Sequence, residues 1–403
     1  MGASKSCVER WLNSNRWSDE LLKWEQLCCP KQSSICVSLM LGSFLLLQIV
    51  VVLVSIFIIP STLTTQSELL NNGLLWILIV APAGSVLSLT RMIFQRQRLW
   101  KITSGLQQFD RTLARLDFRI RCTELNYWVV GWGAIFAVGT SLFNAAAIGL
   151  GSLIFNHLNL AVLIVLINII NLPRATLTVW FIICELCVWY RMKSLCKLLT
   201  NGRQAASVAT PKDTAKFRIL LAGTTALHHN LSCVVEHING VFGVQVVFSM
   251  VGYTVLYIFC VFACYRAAVV RGEVERHFSM MLICWTAYTS SIMLPAVLYG
   301  AWLCREATQF AREAHAFLRQ VDDEGLQNQL SALSQQLQHR SMAPTVGGHT
   351  LNWPVFATMI GFIITYVVIL IQFDSKAMER TTGPEAAVVN YTEGAHLTNQ
   401  TVY

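Results

Sequence analysis

The sequence predicts an all-α, polytopic membrane protein: seven transmembrane helices, N-terminus cytosolic, C-terminus extracellular, with long cytosolic helix extensions. Three observations predict it. Of 403 residues, 54% are hydrophobic and only 13% charged, with a mean hydropathy of +0.52; a soluble domain carries about 25% charged residues. Seven stretches approach or exceed the ~20 apolar residues that cross a bilayer: 37–59, 73–90, 127–153, 160–190, 240–265, 278–304 and 353–373. Finally, the basic residues are partitioned. With the N-terminus inside, segments 1–36, 91–126, 191–239 and 305–352 hold 24 of the 30 Lys and Arg, the outer segments hold five, and Arg174 lies inside the fourth span. Short loops keep their Lys and Arg on the cytosolic side. Topology thus accounts for the net charge of +8, and nucleic acid is not an expected partner.

Residues 1–36 are polar, and no early apolar run ends in a small-residue cleavage site, so the first span is expected to insert uncleaved. Trp11, Trp17, Leu21 and Trp24 recur among charges there. Such a segment is expected to form an amphipathic helix at the inner membrane surface, with its indoles at headgroup depth; the competing reading is a disordered tail.

The inner connections are long and helically periodic. Leu99, Ile102, Leu106, Phe109, Leu113 and Leu116 form one apolar stripe; Phe217, Leu220, Leu221, Thr224, Leu227, Leu231, Val234, Val235 and Ile238 form another. After span six come Phe310, Ala314, Phe317 and Val321, then Leu330, Leu333 and Leu337. Apolar stripes in water need partners, so these helices are expected to extend the spans into the cytosol and pack on one another or on another subunit. The stretch "SMAPTVGGHTLNWP" then breaks the helix before the last span. The expected division is 1–36, an inner amphipathic segment; 37–304, a six-span bundle with its extensions; 305–352, a cytosolic helix and loop; 353–373, the last span; and 374–403, an extracellular tail.

No Walker loop, HExxH, GxSxG or paired Cys-x-x-Cys motifs occur, and neighbouring His228 and His229 point about 100° apart on a helix, a poor chelate. Packing is their expected role. No enzyme activity, cofactor or metal is expected. "FDRTL" at 109–113 resembles the Asp-Arg signature of G-protein-coupled receptors, but it follows span two and no NPxxY follows in span seven. Outer segments contain none of the 13 cysteines, so no structural disulfide is expected. The tail carries two glycosylation acceptors, Asn390 and Asn399, on the extracellular side.

Polar residues inside a span are costly and usually face a cavity or the bundle interior. Span four is broken by Asn168, Asn171, Pro173 and Arg174; span three carries Asn144, span five Tyr257, and span six Trp285 and Tyr288. Together these would form a small-molecule pocket with aromatic walls. Taken singly, each also reads as an interhelical hydrogen bond that holds the spans together.

In the last span Thr365, Ile369, Gln372, Phe373 and Lys376 fall on one helical face. Repeated about a symmetry axis, that face would line a conduit. Apolar rings gate by dewetting, and glutamine carbonyls replace part of a cation's hydration shell. Asp374 would add a ring of negative charge at the mouth and raise the local cation concentration. Read alone, the stretch fits an ordinary bundle helix with interfacial Gln and Asp better.

"TYVVILIQF", 365–373, resembles the signature TYhhhhhQF (h apolar) that closes the last span of insect gustatory receptors. The stretch upstream from "LSALSQQLQHRSMAPTVGGHTLNW", and "INGVFGVQVVFSMVGY" at 238–253, are similar as well. The resemblance covers roughly the last third of the chain; elsewhere it extends to span number, topology and length. It implies a tastant-gated, non-selective cation channel, tetrameric, with one central pore lined by the last helix and with the cytosolic extensions as the main subunit contact. It also implies a gate at Gln372 and Phe373 with Ile369 below, Thr365 and Tyr366 as helix-positioning residues, and Trp285 as a pocket wall. Implied partners are a small-molecule tastant, permeating cations, membrane lipid, and identical subunits or other gustatory receptors (a homotetramer or a heteromer). The implied location is the plasma membrane of sensory neurons.

The pocket residues favour a bitter or mostly apolar tastant over a sugar, while Arg174 leaves an acidic or polyhydroxy ligand open. The tail is longer than the family's usual few residues. The competing reading is a seven-span chemoreceptor that signals through a separate transducer without conducting; a secondary transporter is disfavoured by the lack of internal repeats.

Overall fold

The structure, a computed structural model, describes residues 68–116, 118, 122–154, 158–206, 214–340 and 342–382, with 42, 43, 45, 46, 49, 50 and 53 before them. The amphipathic segment, most of span one, and the tail with Asn390 and Asn399 lie outside the described residues. The elements are α1 (Glu68–Phe94), α2 (Arg96–Arg115), α3 (Cys122–Ile154), α4 (Leu158–Ala206), α5 (Thr214–Val270), α6 (Glu273–Leu318), α7 (Glu324–His339), β1 (Thr345–Val346), β2 (His349–Thr350) and α8 (Trp353–Thr382).

The fold is all-α and polytopic. Five of the described segments are long and apolar enough to cross a membrane: Tyr127–Ala145, Leu172–Gln204, Lys216–Val270, Glu275–Leu318 and Trp353–Ala377. They carry spans three to seven, and α1 contains span two. The 57 residues of α5 reach ~85 Å at 1.5 Å per residue, against a hydrocarbon core of ~30 Å. Most of that helix therefore stands outside the membrane, as the periodic inner stripes require.

Those stripes find their partners within the chain. Ile102, Phe109 and Leu113 of α2 pack along α5, which contributes Leu227, Leu231 and Val234 to the same core. Phe310, Ala314 and Phe317 of α6 close that core with Leu330 and Leu333 of α7. The rim is ionic: Arg203 pairs with Glu313 at 2.9 Å and Arg218 with Asp323 at 2.9 Å. Asp323 also caps α7 by accepting the Leu326 N–H at 2.8 Å. The Arg218 hydrogen bond, then that N–H, hold its carboxyl below the usual carboxylate range. Asp110 of the "FDRTL" step takes both Nε and Nη2 of Arg191 on α4, at 3.0 and 2.6 Å. Buried His228 stacks on Phe310, 5.6 Å between ring centres, and its Nδ1 meets the Gln336 amide at 3.1 Å.

Span four is not broken. α4 runs through Pro173 as one helix of 49 residues; membrane helices tolerate such a proline. Beyond it, Gln245 of α5 donates to the Arg174 carbonyl at 3.2 Å and to the Thr178 hydroxyl at 3.1 Å.

The glycine loop is more ordered than a helix break. Thr345 pairs with Thr350 and Val346 with His349, across a turn in which Gly347 and Gly348 have φ of 58° and 87°. Positive φ at both central residues is the type I′ hairpin turn, which glycine adopts without strain. Asn239 of α5 clips the hairpin by accepting the Thr345 N–H at 3.0 Å, and the Leu351 N–H donates to the Pro344 carbonyl at 2.8 Å. The final helix thus starts from a fixed point on the bundle.

Candidate functional site

About four to five turns in from the outer ends of their helices, Thr140 of α3, Arg174 of α4, Tyr253 of α5 and Tyr288 of α6 lie at a common depth. The Tyr288 hydroxyl bonds that of Thr140 at 3.0 Å; its ring stacks on Phe143, with centres 4.7 Å apart. Tyr257 hydrogen-bonds Ser290. Asn144 turns back on its own helix and donates to the Thr140 carbonyl at 2.8 Å. The guanidinium of Arg174 lies 5.0 Å from the centre of the Tyr253 ring. The backbone of Asn168 and Asn171 is part of α4; their side chains lie outside the described ones. Of the expected pocket residues, then, the structure brings Arg174 and Tyr288 to one level, with Tyr253 as a third member.

Trp285 is buried in a second, outer core with Leu70, Leu256, Cys260, Phe262, Phe278 and Leu282. Phe143 of α3 and Leu370 and Ile371 of α8 pack against this core.

α8 has two unlike faces. Val367 and Asp374 are buried, Leu370 and Ile371 half-buried; these positions, at i, i+3, i+4 and i+7, form the packing face. Thr365, Ile369, Gln372, Phe373 and Lys376 are exposed, Phe373 by 65%. The stripe singled out in the sequence lies within a broad surface the subunit leaves free, which also includes Phe362, Ile364, Tyr366 and Val368.

The Asp374 carboxylate is not a free charge at a mouth: it turns into the bundle and meets Arg266 of α5 at 3.1 Å, both side chains under a tenth exposed. Position 374 follows 367 by seven residues and shares its face, whereas Phe373, its neighbour in sequence, is about 100° away. Thr365 and Tyr366 lie on the exposed surface of α8. The Thr365 hydroxyl donates to the Gly361 carbonyl of its own helix at 2.9 Å, and Tyr366 is exposed. Val367, Leu370, Ile371 and Asp374 hold α8, assisted by the Tyr265–Ser375 hydroxyl contact at 3.4 Å. Arg266 and Asn239, which tie down the two ends of α8, had no local signature in the sequence.

At the inner end, Glu185 of α4 is 1% exposed and neither carboxylate oxygen has a hydrogen-bond partner. It lies under the loop, beside Gly300 of α6 and close to Leu351 and Pro344.

A family profile described as the 7tm chemosensory receptor matches residues 23–377. The solved structure of the insect olfactory receptor OR5 from Machilis hrabei aligns with a TM-score of 0.59 at 12% identity, covering 82% of this chain and 88% of that one. The same receptor in complex with eugenol aligns with a TM-score of 0.54 at 11% identity, with the same coverages. At such identities the likeness is one of fold. No curated protein sequence matches the chain.

Proposed function

The chain belongs to the 7tm chemosensory receptor family, and on that premise we propose that it is a gustatory receptor acting as a tastant-gated, non-selective cation channel. Four subunits, identical or mixed with other gustatory receptors, surround one pore in the plasma membrane of a sensory neuron. The final helix of each lines the pore, with Ile369, Gln372 and Phe373 at the gate. Residues 37–304 form the ligand-binding bundle, 305–352 the cytosolic helix and loop, and the tail carries glycans at Asn390 and Asn399. A bitter, mostly apolar tastant is favoured over a sugar.

The observation that carries this reading is the free face of α8. Gln372 stands exposed among Ile369 and Phe373 on a helix whose other side is packed. A pore-lining face uses both residue types, apolar rings and amide carbonyls. Asp374, paired with Arg266, takes no part as a free charge. That a related receptor has been solved in complex with eugenol supports a small-molecule ligand for the bundle.

The test is whole-cell current in cells expressing the chain, alone and with co-expressed family members, across a tastant panel. Phe373→Ala is expected to raise ligand-free current severalfold, because the apolar constriction that would dewet is widened. Second-messenger responses without current, at confirmed surface expression, would overturn the channel reading.

A further inference from the structure

The outer half of the described bundle holds two buried arginines, and they are treated differently. Arg266 has a carboxylate partner, Asp374. Arg174, 5% exposed, has none among the described residues. The nearest acid on its own helix, Glu185, is eleven residues on, ~16 Å along the axis. On α6, buried Glu275 is thirteen residues from Tyr288, ~20 Å away by the same rise.

The seat of Arg174 is nevertheless built. One guanidinium nitrogen lies 3.1 Å from where a Cβ on Gly252 would stand, so the glycine gives it close room. The Tyr253 ring lies beside it, and Gln245 fixes the backbone at its foot. Tyr288 stands at the same level of the bundle, and its ring and Phe143 make a stacked aromatic wall. A ring face offsets part of the cost of a buried cation, but a fixed guanidinium fork matches a carboxylate in both charge and geometry.

We propose that Arg174 is the anion anchor of the ligand pocket, and that the tastant is an amphiphilic acid with an aromatic or aliphatic body and a single carboxylate. The proposal rests on the ligand-pocket reading given above. The carboxylate takes the guanidinium and neighbouring tyrosine hydroxyls, while the body lies along Tyr288 and Phe143 toward the core that holds Trp285. This reconciles a mostly apolar pocket with one unpaired charge.

The test uses the purified full-length protein in detergent, with cinnamate, 3-phenylpropionate and octanoate as probes, each against its primary amide, read by ligand-dependent thermal shift. At least one acid is expected to stabilise the wild type while its amide does not. Arg174→Gln, checked for a monodisperse size-exclusion profile, is expected to weaken that acid by at least about tenfold, the loss of a charge-assisted pair. Arg174→Lys should recover part of it. Amides that match their acids, no acid that binds, or an Arg174→Gln protein that binds acids like the wild type would each overturn the proposal. The comparison of acid with amide needs no variant, so it holds even if Arg174→Gln fails to fold. Binding is read without current, so acid binding by the purified protein, with second-messenger responses but no current in cells that also express family members, sinks the channel reading and leaves this one standing.

Discussion

Arg266→Gln is expected to lower stability by about 3–5 kcal/mol, the cost of leaving a buried partner charge unpaired. The Asp374 carboxylate would remain 7% exposed on the packing face of α8, with only the weak Tyr265–Ser375 contact beside it. Asp374→Asn should cost a similar amount by stranding the guanidinium. The informative variant removes both charges. Arg266→Met with Asp374→Leu keeps volume and apolar contact, and replacing a whole buried pair in this way is often neutral or stabilising. Midpoints of thermal unfolding for the purified protein should therefore fall for each single variant and recover in the double one. A double variant as unstable as either single would show that the pair is not a coupled unit. Because the pair ties the outer end of α8 to α5, the single variants should also raise ligand-free current.

Gly300→Ala is expected to disturb the inner end of the same helix. A Cβ at 300 would stand 2.7 Å from the Leu351 carbonyl oxygen, 3.3 Å from Cγ of Pro344 and 3.4 Å from Oε1 of Glu185. The first of these is backbone and cannot rotate away, so the loop must move; overpacking of this kind costs typically about 1–3 kcal/mol. Gly300 is twelve residues from Tyr288, ~18 Å along α6, so ligand binding should stay unchanged. What should change is the transmission of binding to α8, seen as ligand-evoked current reduced severalfold and faster amide exchange in residues 342–352. Wild-type current with wild-type exchange would show that the loop does not act as a fixed point for the helix.

Much of this architecture is legible in the chain because the bilayer limits the options. A run of ~20 apolar residues must form a helix there, since its backbone can satisfy hydrogen bonds only internally, and Lys and Arg report its direction. The stripes on α2, α5, α6 and α7 were equally plain, because period 3.6 shows which side seeks a partner. The free face of α8, with Gln372 and Phe373, followed from the same arithmetic. Asp374 did not, because its neighbours in sequence are not its neighbours on the helix surface. Placing it correctly needed the packing face of Val367, Leu370 and Ile371.

Pairings between distant segments had no local signal at all. Arg266 with Asp374, Asn239 with the hairpin, Gly252 with Arg174 and Gly300 with Leu351 each join residues that composition and periodicity treat as unrelated. Solvent and backbone geometry act residue by residue, so composition and spacing alone determined the helices, their sidedness and their apolar faces. Which arginine received a counter-ion, which glycine made room and where the last helix was anchored depended on close packing between helices. Those contacts exist only once the bundle has formed, so only the tertiary structure decided them.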